Sequence, residues 1–104
     1  MQSEKPNGLP HQFALAQNYP NPFNPLTVIR YQLPVQSHVT LRVYNILGQV
    51  VATLVDGIRD AGYESVNFDA STLASGVYFY KIEATGVGNT RISFNDVKKM
   101  AIIR

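Results

Sequence analysis

An all-β fold, an antiparallel β-sandwich of about seven strands, is predicted for this 104-residue chain by three features of its sequence. Apolar residues alternate with polar ones in short segments at regular spacing, turn residues separate those segments, and no helical periodicity lasts as long as about ten residues. Hydrophobic residues make up 45% of the chain and charged residues 15%, a balance that favours a folded domain over a disordered tail. The length suits a single core, so the domain is placed over residues 18–104 and residues 1–17, with Pro6, Gly8 and Pro10 and no apolar period, are read as a linker.

The segment Asn18-Tyr19-Pro20-Asn21-Pro22-Phe23-Asn24-Pro25 follows that linker. Each proline fixes φ and removes a backbone donor, which excludes a helix and a central strand and leaves an edge, a turn or a polyproline-type crossing. In a polyproline crossing Asn18, Asn21 and Asn24 share one side and serve local backbone, with Tyr19 and Phe23 as anchors. From Thr27 the period becomes two: Thr27, Ile29, Tyr31 and Leu33 form one face, and Pro34 stops the strand. Val39, Leu41 and Val43 repeat the alternation. Asn45 to Gly48 then turns the chain, Gly48 supplying a positive φ, and residues 49–55 return as the partner of a hairpin.

Asp56-Gly57 and Ala61-Gly62 bracket an expected polar connection before a strand over residues 65–68 and the turn cluster Asp69 to Thr72. Residues 77–84 form the clearest strand, with Tyr78, Tyr80 and Ile82 on one side and Val77, Phe79, Lys81 and Glu83 on the other. Gly86 to Asn89 reads as a turn, residues 91–94 as a short strand, and residues 100–103 as a final apolar run. This succession describes an immunoglobulin-like sandwich. Gly76 and Leu73 precede Tyr78 at a turn, where the Tyr78 hydroxyl is expected to bond upstream backbone and pin the corner.

Charge and composition exclude several functions. Six basic and six acidic side chains lie in residues 1–95, so the net charge of +2 resides in the last nine residues, where Lys98, Lys99 and Arg104 face Asp96 alone. Three cations do not make a nucleic-acid face. No apolar run has the length of a membrane span, and an export signal, if used, is expected upstream of Met1. Without cysteine there is no disulfide, thiolate metal site or cysteine nucleophile.

Catalytic and cofactor candidates are sparse, and no enzyme, metal or cofactor is expected. His11 falls in the linker and His38 in a turn, and Ser71, Thr72 and Ser75 have no adjacent base. Asp56 and Asp60 flank a loop in the manner of a calcium pair but bring no further oxygen ligands at regular spacing. Gly86-x-Gly88 opens no helix and therefore no phosphate cradle. Tyr31, Tyr44, Tyr63, Tyr78 and Tyr80 leave a carbohydrate-binding accessory module as an alternative reading, if exposed rings share a plane.

Four motifs occur in order: the proline segment Asn18 to Pro25, Val43-Tyr44-Asn45-Ile46-Leu47-Gly48-Gln49-Val50-Val51, Leu73-Ala74-Ser75-Gly76-Val77-Tyr78-Phe79-Tyr80-Lys81, and Lys98-Lys99-Met100-Ala101-Ile102-Ile103-Arg104. From about Leu15 to Arg104 the chain resembles the type A C-terminal sorting domain of type IX secretion cargo, a family of Bacteroidetes and related bacteria. The resemblance implies an address label attached to an upstream cargo domain. It implies passage through the periplasm, recognition by the outer-membrane type IX translocon, and removal by a sortase-like cysteine protease at the cell surface. By position Lys98, Lys99, Met100, Ile102, Ile103 and Arg104 match the family's terminal signal, and cleavage is expected near Asn7 and Gly8. Lys98 and Lys99 are expected to steer and residues 100–103 to dock.

Overall fold

The computed structural model of the chain describes residues 8–104, and Asn7 lies outside the described residues. Seven strands and no helix are present among them: β1 Ala14–Leu15, β2 Leu26–Leu33, β3 Ser37–Tyr44, β4 Val50–Arg59, β5 Gly62–Asp69, β6 Gly76–Gly86 and β7 Ser93–Ile102. They form two antiparallel sheets, ordered β1-β2-β5 and β4-β3-β6-β7, packed as an immunoglobulin-like sandwich. The period-two segments fill the space between them. Thr27, Ile29, Tyr31 and Leu33 of β2 meet Val39, Leu41 and Val43 of β3 and Tyr78, Tyr80, Ile82 and Ala84 of β6, all buried. Alternation alone assigns these residues to one face, because successive side chains on a strand point in opposite directions.

Four sequence expectations change. Ala14 and Leu15, placed in the linker, pair with Gln32 and Tyr31, so these two residues belong to the small sheet. The apolar Leu15 side chain goes into the core, and its burial there outweighs the weak local pattern. The polar connection expected from Asp56 to Gly62 is instead strand through Arg59, with only Asp60-Ala61 between β4 and β5. Extra residues at two bulges in the β3–β4 pairing, after Leu41 and after Val43, blur the period of β4 and hid its length.

The short strand and the apolar run expected at the end are one ten-residue strand, β7, paired with β6 from Thr85↔Ser93 to Gly76↔Ile102. Its alternation was obscured because Asp96 and Lys98 occupy inward-parity positions at the rim of the sandwich. Finally, the proline segment is a series of bends rather than an extended crossing, with its three X-Pro bonds cis. Phe23 is its anchor, 2% exposed and tilted against Phe68, while Tyr19 projects into solvent.

Turn chemistry explains the connections that the sequence located correctly. At the β3–β4 turn Gly48 has φ +82°, a conformation that side-chain-bearing residues rarely adopt. Gly86 ends β6 for a different reason. A Cβ there would lie 2.9 Å from the Asn89 carbonyl oxygen and 3.2 Å from the Ile92 Cβ, so the β6–β7 loop closes only over a glycine.

Candidate functional site

β7 is an edge strand, hydrogen-bonded on one side to β6. Its two lysines point in opposite directions, as neighbours on a strand must. Lys99 is exposed on the outer face of the four-stranded sheet, while Lys98 turns toward the sandwich rim, 3.9 Å from the Asp96 carboxylate. Met100 and Ile102 are each 1% exposed and belong to the core, so their side chains cannot supply the docking surface expected of residues 100–103. Ile103, 54% exposed, remains available. The Arg104 guanidinium donates to the carbonyls of Ala70 and Leu73 and clasps the end of the chain to the β5–β6 turn.

The outward backbone of β7 is divided into two halves by the N-terminal segment, which runs alongside it in the same direction. Phe13 stacks on Phe94 with ring centroids 5.5 Å apart. Further along, Gln17 Nε2 donates to the Lys99 carbonyl at 2.7 Å, and the Ala101 N–H donates to Asn21 Oδ1 at 3.0 Å. The Phe23 N–H donates to the Ala101 carbonyl at 3.1 Å, and the Ile103 N–H donates to the Phe23 carbonyl at 3.0 Å. Lys99 to Ile103 is therefore capped along its edge. Alternation turns the backbone of Asn95 and Val97 to the same edge, and among the described residues no strand is hydrogen-bonded there, although β1 of the other sheet packs against β7.

The same N-terminal segment is fixed from beneath by Tyr80. Its ring is fully buried, and its hydroxyl accepts from the Asn18 N–H at 2.7 Å and donates to the Ala16 carbonyl at 2.8 Å. Burial pushes this phenol up to about 12, with the Asn18 N–H pulling the other way and Asp96 adding to the rise. Asn18 completes the joint: its Nδ2 donates to the Pro20 carbonyl and to Thr27 Oγ1, and Thr27 Oγ1 donates to the Pro20 carbonyl at 2.8 Å. These polar groups are buried yet all are paired. Two of the three motif asparagines thus bond backbone, one locally and one across to β7.

Other predicted residues fall into place around this joint. The Tyr78 hydroxyl donates to the Ala74 carbonyl at 2.9 Å, four residues upstream. Gly76 opens β6 opposite Ile102 of β7. Pro20 contributes its carbonyl, and the Pro25 carbonyl accepts from the Ala70 N–H. Pro22 and Asn24 sit in the bends on either side of Phe23. Gly8 is exposed in a bend with φ +84°. Asp56 faces His38 at 4.0 Å across β3 and β4, and Asp60 accepts from Gln36 at 3.0 Å, so the two acids are engaged separately. The tyrosines do not share a platform: Tyr31, Tyr78 and Tyr80 are core, while strand register places Tyr44 and Tyr63 on the outer faces of different sheets.

Sequence reasoning missed the role of Tyr80. Its parity gave burial, and a buried tyrosine hydroxyl normally requires a partner, but its partners lie 62 and 64 residues away. It also missed the exposed pair Ile46 and Leu47, at 73% and 78%, whose turn context was visible but whose orientation was not.

Fold and site together define a class: an immunoglobulin-like sandwich whose N-terminal segment is zipped to an edge strand carrying the terminal lysines. The chain matches the family described as "Secretion system C-terminal sorting domain" over residues 17–99, and it belongs to that family. It is a C-terminal sorting signal of type IX secretion. The match includes Lys98 and Lys99 and ends before the core residues Met100 and Ile102. No curated protein matches the chain.

Proposed function

We propose that this domain carries a covalently linked upstream cargo domain from the periplasm through the outer-membrane type IX translocon by presenting β7 to it, and that a sortase-like protease then cuts near Asn7 and Gly8. The observation that supports this reading is the parallel zipper between residues 13–23 and β7. It places the segment leading back toward the cargo against the strand bearing the terminal lysines. Lys99 offers charge, and the outward backbone of residues 95–97, where the Val97 N–H is held only by its neighbour Asp96 Oδ1 at 2.9 Å, offers edge groups to a receptor strand. Lys98 contributes charge from the rim, and Ile103, just past the end of β7, offers exposed apolar surface.

Deleting residues 98–104 would not test this, because it removes Met100 and Ile102 from the core and the Arg104 clasp with them. Surface reversal does. A reporter fused ahead of the chain is expressed in a type IX-competent host as wild type, K98E, K99E and the double variant. Surface display is expected to fall several-fold for K99E and further for the double variant, with the thermal midpoint of K99E unchanged and those of the variants carrying K98E lowered by only a few degrees through loss of the Lys98–Asp96 pair. Undiminished display of the folded double variant would refute recognition through these lysines. Mass spectrometry of the released domain locates the cut, expected between residues 5 and 10.

A further inference from the structure

We propose that the β3–β4 turn and the adjoining end of the outer sheet face form a second docking surface, which seats Ile46 and Leu47 in an apolar, acid-rimmed pocket of a type IX outer-membrane protein. This rests on the sorting reading and extends the contact from Lys99 of β7 across the outer face of β6 and β3 to the β3–β4 turn.

Two large aliphatic side chains exposed at 73% and 78% on one turn gain nothing from folding. The turn nevertheless holds them firmly. Asn45 Oδ1 accepts from the N–H groups of Leu47 at 2.9 Å and Gln49 at 3.0 Å, and Asn45 Nδ2 donates to Gln49 Oε1 at 2.8 Å. The Asn45 N–H donates to the Gln49 carbonyl, and the Gly48 N–H donates to the Asn45 carbonyl, both at 3.0 Å. An apolar pair fixed in this way loses little conformational entropy on binding, which is the condition for an anchor that enters a pocket.

The neighbouring surface gives the sign of the partner. Strand register puts Tyr44 beside Phe79 and then Lys99, and Arg42 beside Lys81 and then Val97, on the same outer face. Lys81 is paired with Glu83 at 3.3 Å, whereas Arg42 and Lys99 have no carboxylate within ion-pair distance among the described residues. Half-buried rings between two unpaired cations call for a partner with carboxylates at the rim of its pocket. Two free cations are few for holding an anionic bilayer, where each contributes only about 1 kcal/mol, and a clamped Ile-Leu pair needs a shaped cavity rather than a fluid one.

The test uses the reporter fused to the full chain in a type IX-competent host, with Ile46→Ser/Leu47→Ser, Arg42→Glu and Arg42→Lys variants. Ile46 and Leu47 are exposed and Arg42 is half-buried on the outer face, and thermal midpoints of the purified chains confirm folding. Surface display is expected to drop about ten-fold or more for I46S/L47S and several-fold for R42E, with R42K near wild type. A photo-crosslinking residue at position 47 is expected to give an adduct with an outer-membrane protein, weakened several-fold by R42E. Wild-type display of folded I46S/L47S, or adducts only with lipid or a second copy of this chain, would overturn the second surface and leave the sorting reading intact. An equal adduct in R42E would overturn the acidic rim. Failure of the wild-type chain to display the reporter would strike the sorting reading instead.

Discussion

Replacing Tyr80 with phenylalanine removes one oxygen atom and severs the joint between β6 and the N-terminal segment. The ring stays in place, fully buried, so no cavity larger than a hydroxyl forms. The Asn18 N–H loses its acceptor in a residue that is 2% exposed, with no route to water. A buried donor left unpaired costs about 1–3 kcal/mol. The Ala16 carbonyl loses its donor too, but Ala16 is exposed and water replaces the bond, for a further cost of about 0.5 kcal/mol. The expected loss is about 2–3 kcal/mol, which for a domain of this size lowers Tm by about 10–20 °C. Tyr78→Phe is the control. Its hydroxyl serves the carbonyl of exposed Ala74, so its loss should stay near 1 kcal/mol. Urea denaturation of both variants measures the difference, and hydrogen exchange at the Asn18 amide reports the local opening. A Y80F cost below about 0.5 kcal/mol, or one no greater than that of Y78F, would refute the account of the joint.

The same tyrosine gives a pH prediction. Its folded value, pushed up to about 12 from 10.0, means that the native state holds this proton more tightly than the unfolded chain does. That contribution is complete below pH 10 and is lost as pH rises from 10 through 12, so wild-type stability should fall more steeply over that window than Y80F stability, in paired urea titrations. Phe23→Ala empties a site 2% exposed and should cost about 3–5 kcal/mol, with faster amide exchange at Ala101 and Ile103 as the cap over β7 loosens. Arg104→Ala removes the clasp on Ala70 and Leu73 at a partly solvated site and should cost about 1 kcal/mol by thermal denaturation, leaving β6–β7 exchange intact. Gly86→Ala forces a Cβ against the Asn89 carbonyl and should lower stability by about 1–3 kcal/mol; a neutral result would show that the β6–β7 loop shifts freely.

Period-two alternation was enough to place Ile29, Leu33, Leu41 and Ile82 in the core, because parity on a strand is a local property that pairing does not alter. Prolines, Gly48 and the Asp69 turn likewise marked where strands stop, since φ restrictions act within one or two residues. The ordered motifs carried the family. What the sequence could not determine was which distant segments meet. Whether Phe23 or Tyr19 turns inward, and whether Met100 docks or packs, depends on groups about 60–80 residues away along the chain, as the Asn18–Tyr80 and Asn21–Ala101 bonds illustrate. Alternation assigns Lys98 and Lys99 to opposite faces, but only the edge position of β7 leaves one of those faces open to a partner. Neighbour identity in a sandwich is fixed by sheet order and register, and those are settled by burying the two inner faces together rather than by any residue's own preference.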